Sequence, residues 1–159
     1  MSRSYMVPYT GTLTNTGGNS DLLEVLPADD KPVTLCGFVL GQTTELADAA
    51  EENIGISIVR MTATVTSGSG GSAVTPVPMD GADTAAGATC ECNNATVATT
   101  SGATTVMSYF SWNVRNTPCD VWFPPEFRPT AKQGEALLVR CDSTVADDIT
   151  IAVTFYIME

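Results

Sequence analysis

Apolar residues recur along this chain mainly at the two-residue period of a β-strand. In residues 53–65, Ile54, Ile56 and Ile58 alternate with Gly55 and Ser57. After Val59 the apolar positions become Met61, Ala63 and Val65, set against Arg60, Thr62 and Thr64. This predicts a long central strand with one buried face. The change of phase predicts a bulge within it, because one extra residue turns every later side chain over. Residues 33–40 are apolar at both phases, which predicts a strand buried on both sides. Val106, Ser108, Phe110, Trp112 and Val114 share one side of another strand, so Trp112 belongs to the core. The cleanest alternation is Ile149, Ile151, Val153, Phe155 and Ile157 against Thr150, Ala152, Thr154, Tyr156 and Met158. Shorter strands fall at 22–26, 121–123 and 136–141.

The breaks agree with an all-β chain. Turns are predicted at Gly17-Gly18-Asn19, at Asp29-Asp30 before Pro32, and at Asn93-Asn94, which suits a hairpin. Pro76 and Pro78 fit only an edge strand or an irregular crossing. Residues 45–52, ELADAAEE, form the one good helix-forming run. Eight to ten strands with such punctuation predict a sandwich or barrel, and the long Gly/Thr-rich crossings suit a jelly roll better than a meander. The expected architecture is a single antiparallel jelly-roll-like β-sandwich over residues 15–159. Residues 1–14, with Tyr5, Val7, Pro8 and Tyr9, read as an extended N-terminal arm reaching a neighbouring subunit.

Composition narrows the function. Of 159 residues, 18 are acidic and seven basic, a formal net charge of −11. That balance opposes nucleic-acid binding and anionic membranes, both of which rely on Lys and Arg clusters. The N-terminus has no apolar core of signal-peptide length, so Cys36, Cys90, Cys92, Cys119 and Cys141 are expected as reduced, non-structural thiols. Histidine is absent, which removes the commonest general base and zinc ligand. No nucleophile elbow, phosphate loop or dinucleotide fingerprint occurs, so neither a catalytic site nor a cofactor or metal is expected. Cys90 and Cys92 share a strand face and read as small core fillers rather than half a thiolate metal site. Asp29-Asp30, Glu51-Glu52 and Asp147-Asp148 could offer calcium oxygens but lack loop spacing and read as solvated acids. Tyr109, Trp112, Trp122, Phe123 and Phe127 form an aromatic group that reads as core and subunit interface or else as a carbohydrate platform. The candidate interface residues are Tyr5, Tyr9, Trp122, Phe123 and Phe127.

Five runs, GGNSDLLEVLPADDKPVTL, VTSGSGGSAVTPVPMD, NNATVATTSG, SWNVRNTPCDVWFPP and QGEALLVR, together resemble small tailed-bacteriophage virion proteins of the capsid decoration, or cement, kind. The resemblance implies a jelly-roll sandwich that assembles as a homotrimer on the capsid exterior after synthesis in the host cytoplasm. Its partners would be the major capsid protein and itself, with no nucleic acid, no membrane and no catalytic residues. The other reading of the chain is a head-fibre or tail-associated module recognising host-surface carbohydrate.

Overall fold

The computed structural model describes residues 2–14, 18–44, 52–116 and 118–159. Its strands are β1 (Ser4–Leu13), β2 (Ser20–Leu26), β3 (Val33–Gln42), β4 (Asn53–Met61), β5 (Val65–Thr66), β6 (Ser72–Val74), β7 (Val77–Pro78), β8 (Thr89–Cys92), β9 (Thr99–Thr100), β10 (Thr104–Asn113), β11 (Cys119–Trp122), β12 (Thr130–Ala131), β13 (Ala136–Cys141) and β14 (Ile149–Met158). A single 3-10 turn, Pro125–Phe127, is the only helical element among the described residues. Most of the expected helical run, residues 45–51, lies outside them.

The strands form two antiparallel sheets packed face to face. The first runs β11-β3-β14-β1-β7, with β12 also on β3; the second runs β10-β4-β13-β2-β8-β6. The two inner faces meet in one apolar core that includes Tyr5, Leu35, Phe38 and Phe155 from the first sheet and Leu23, Ile56, Ile58 and Trp112 from the second. Phe38 meets Phe110 across the core edge to face, with ring centroids 6.1 Å apart. Trp112 is 3% exposed, as its alternation predicts.

Residues 62–103, between β4 and β10, leave this frame and wrap it. β7 extends the first sheet beside β1, and β8 and β6 extend the second beside β2. Pro78 accordingly sits in an edge strand, where its missing N–H breaks no ladder. The two-stranded sheet β5-β9 lies outside both main sheets. Ala98 and Val65 from this excursion close a second apolar cluster with Val59, Met61, Ala136 and Leu138, which face away from the main core. Asn93 adopts a left-handed φ of 59°, but Asn93-Asn94 closes no hairpin, because β8 pairs with β2 and β6.

Two strand assignments change. β4 has no bulge: its pairing with β13 runs unbroken from Met61↔Ala136 to Ile56↔Cys141. It also ends at Met61, and Ala63 turns away with φ 65°. The change of phase after Ile58 arises because Val59 and Met61 are buried on the outer face, beneath the excursion. β4 is one place in from the edge rather than central. In β3 the reverse holds. Cys36 is an extra residue between Leu35↔Ile157 and Gly37↔Tyr156, so Val33, Leu35, Phe38 and Leu40 all point into one core. Its apolar residues at both phases therefore come from a bulge. A second bulge, at Met107 in β10, turns Val106 outward, away from Phe110 and Trp112.

The segment expected as an arm is β1. It pairs with β14 at ten successive positions, Ser4↔Met158 through Leu13↔Ile149, and with β7 on its other side. Tyr5 and Val7 are fully buried. The physical reason is the alternation itself: Tyr5, Val7, Tyr9 and Leu13 share one face, and pairing with β14 turns that face into the core. Tyr5→Ala should therefore destabilise the chain by about 3–5 kcal/mol in urea unfolding, and deletion of residues 1–9 should prevent folding. A deletion variant with a native circular-dichroism spectrum would restore the arm.

A third bulge sits in β2, where Leu23 pairs with Val139 and Asp21 with Arg140, leaving Leu22 as the extra residue. Leu22 and Leu23 both enter the core, and Asp21 is turned outward against Arg140. Asp21 is fully buried, with Oδ1 2.6 Å from Arg140 Nε and Oδ2 accepting from Ala98 N–H at 2.6 Å. Arg140 Nη2 donates to the Ala98 carbonyl at 3.2 Å, so the pair holds both polar groups of one residue in the excursion. Arg140→Met leaves Asp21 buried and unpaired and should cost about 3–5 kcal/mol; Asp21→Leu with Arg140→Met should cost much less. Equal losses in single and double variants, measured by denaturant unfolding, would show that the ion pair is not the reason.

Candidate functional site: an aromatic row on one outer face

The outer face of the first sheet carries an apolar row at a single register. Trp122 on β11 pairs with Gly37 on β3, Gly37 with Tyr156 on β14, Tyr156 with Met6 on β1, and Met6 with Val77 on β7. Each of these side chains points away from the core because its immediate neighbours, such as Tyr5, Val7, Phe155 and Ile157, point in. Gly37 makes the row possible. A Cβ there would lie 2.8 Å from Trp122 Cε3 and would run into the Val121 carbonyl. Its absence lets the indole lie over the β3 backbone and stack on Tyr156, with ring centroids 4.7 Å apart.

Trp122 remains 54% exposed, and Phe127, in the 3-10 turn beyond β11, is 76% exposed. Arg128 braces this corner, Nε donating to the Phe123 carbonyl at 3.2 Å and Nη1 to Met158 Sδ at 3.4 Å. Beside Tyr156 the face dips into a shallow groove of about 430 Å³, lined by Val39, Gly41, Pro118, Ala152 and Thr154 among others. The row contains no charged residue.

Of the five interface residues expected from sequence, Trp122 and Phe127 lie on this surface. Tyr5 is a fully buried core residue whose hydroxyl donates to the Thr84 carbonyl at 3.2 Å. Tyr9 is half-buried and packs on the core. Phe123 also packs there, its ring 6.1 Å from Phe110. Sequence reasoning missed Tyr156, Met6 and Val77. The available signal was the end of β14, where Tyr156 and Met158 replace the Thr and Ala residues of the same strand face.

The remaining candidates stay apart. Asp29 accepts from Gln133 Nε2 at 2.6 Å. Glu52 accepts from Ala146 N–H at 3.0 Å. No group of three or more His, Cys, Asp or Glu side chains converges among the described residues. All five cysteines are free thiols. Burial raises every one of them, and pushes Cys90 and Cys92 up to about 12. Such thiols stay protonated and are poor nucleophiles or metal ligands.

No family model, curated protein or solved structure matches the chain.

The raised thiols fix a direction for pH dependence. Cys90 and Cys92 hold their protons in the folded chain up to about 12 but release them nearer 9.0 once unfolded. Their contribution to stability is full below pH 9.0 and is lost as pH rises toward 12. Unfolding midpoints should fall across that window, and a Cys90→Ala/Cys92→Ala variant should show a shallower fall. An identical slope in the variant would remove the thiols as its cause.

Proposed function

We propose that the chain is a structural virion protein: a decoration, or cement, protein that binds the outer capsid surface as a homotrimer and ties neighbouring major-capsid subunits together. The observation that carries this reading is the uncharged aromatic row from Trp122 to Val77, with Phe127 beside it. Aromatic and Met side chains on a broad sheet face suit burial against another protein, where interface cores are enriched in those residues and depleted in charge. Buried area added across a capsid joint raises the free energy needed to open it.

Strand order supports the same reading. With the 62–103 excursion and β12 set aside, the strands run β11-β3-β14-β1 and β10-β4-β13-β2. Numbered one to eight along the chain, they read 6-3-8-1 and 5-4-7-2, the order of a jelly roll, an architecture shared by viral capsid domains. The second reading, a fibre- or tail-associated module for host carbohydrate, is favoured by one feature: the half-exposed Trp122 stacked on Tyr156, a ring face that a sugar could cover.

Trp122→Ala should leave the melting temperature nearly unchanged yet weaken binding to expanded empty phage shells by at least tenfold, about 1.4 kcal/mol, in co-sedimentation. A wild-type chain that stays monomeric at micromolar concentration and does not sediment with shells would sink the decoration reading. Binding on a glycan array that Trp122→Ala abolishes would establish the carbohydrate reading instead.

A further inference from the structure

We infer that Glu24, Glu91 and the hydroxyl groups beside them form a site for a hard divalent cation of the calcium type, in the crevice that β2 and β8 form with the chain at Ser67. The inference does not depend on the capsid reading. Glu24 and Glu91 are direct antiparallel partners, so two carboxylates face each other across adjacent strands. That arrangement is unfavourable without a counter-charge. Among the described residues no lysine or arginine pairs with either; the ion pairs formed are Arg3–Asp83, Lys31–Glu159 and Arg140–Asp21.

Neutral donors hold the two carboxylates in place instead. Asn94 Nδ2 donates to Glu24 Oε2 at 2.9 Å and to Glu91 Oε2 at 3.1 Å. Gly68 N–H donates to Glu24 Oε2 at 2.9 Å, and Ser67 Oγ to Glu91 Oε2 at 3.3 Å. All four contacts fall on the Oε2 atoms. Glu24 Oε1 has no hydrogen-bond partner among the described residues, although Glu24 is only 1% exposed. A buried, unpartnered carboxylate oxygen is costly, and its natural partner is a cation.

Glu24 and Glu91 line a crevice of about 360 Å³ together with Ser67 and Thr89. These side chains supply the hard oxygens that calcium takes, and calcium accepts an irregular shell completed by water, where magnesium demands a near-ideal octahedron. The net charge of −11 adds a long-range attraction for cations. With only two carboxylates, the affinity belongs at the weak end, roughly 10⁻⁴–10⁻³ M.

The test is calorimetric titration of the full chain with CaCl2 after EDTA dialysis, and thermal melting at fixed ionic strength. One calcium per chain is expected, with a melting temperature raised by about 3–6 °C at tenfold excess over Kd. Glu91 is only half-buried, so Glu91→Gln should fold. It should lose both the titration heat and the melting shift, and in EDTA it should melt no lower than the wild type. Absence of any calcium response in the wild type would overturn the site. So would an equal melting shift in Glu91→Gln, which would assign the effect to diffuse screening of an acidic surface.

Discussion

The second sheet depends on one buried ion pair. Asp21 is fully removed from water on the side of the sheet that faces away from the core. A carboxylate there must be met by charge and by hydrogen bonds, or the desolvation cost is prohibitive. Arg140 meets it from the neighbouring strand, and the pair is completed by Ala98, whose N–H and carbonyl it takes up. The backbone continues the attachment: Asp21 and Asn94 exchange N–H···O bonds at 3.0 and 2.9 Å. The excursion is thereby fastened over Val59, Met61, Ala136 and Leu138, which would otherwise be an exposed apolar patch. The bulge at Leu22 is part of the device, since without it Asp21 would point into the core.

The same device explains what the chain's pattern could and could not convey. A bulge and a strand buried on both sides leave the same trace, apolar residues at both phases of a two-residue period. β3 and β4 both show that trace, and each has the cause expected of the other. What separates them is whether something covers the outer face, and that is decided by residues far away in sequence. Val59 and Met61 are covered because Ala98 is held by Asp21 and Arg140, a relation between positions that no local window contains. β14, by contrast, was legible throughout, because its outer face carries Thr and Ala until Tyr156. β1 was misread as an arm because Pro8 weakened it as a strand; Thr154 lies opposite, and the buried Tyr5 and Val7 outweigh the missing N–H.

The aromatic surface was half legible for a related reason. Trp122 and Phe127 announce themselves as aromatics beside prolines. Tyr156, Met6 and Val77 join them only through register, because five strands from both ends and the middle of the chain must align before their side chains form a row. Glu24 and Glu91 were hidden in the same way. Neither is marked out within its own strand, and only the β2–β8 pairing sets them opposite one another.

The two sheets end with unequal outer faces, and this inequality determines where another molecule can add buried area. The second sheet spends much of its outer apolar face on the chain's own excursion and leaves Val106 and Tyr109 of β10 exposed. The first sheet has no such cover among the described residues, and its row stays open from Trp122 to Val77. The edges differ too. Strands of two or three residues, β7 and β6, end the sheets on the side of the excursion, whereas β10 on the opposite side is ten residues long and carries no charge from Thr104 to Asn113. Its protection against pairing is the bulge at Met107, which interrupts the ladder that a second strand would need. A molecule with a net charge of −11 is repelled by its own copies over most of its surface. Close approach is least opposed where charge is missing and apolar area is exposed, and the row from Trp122 to Val77 meets both conditions.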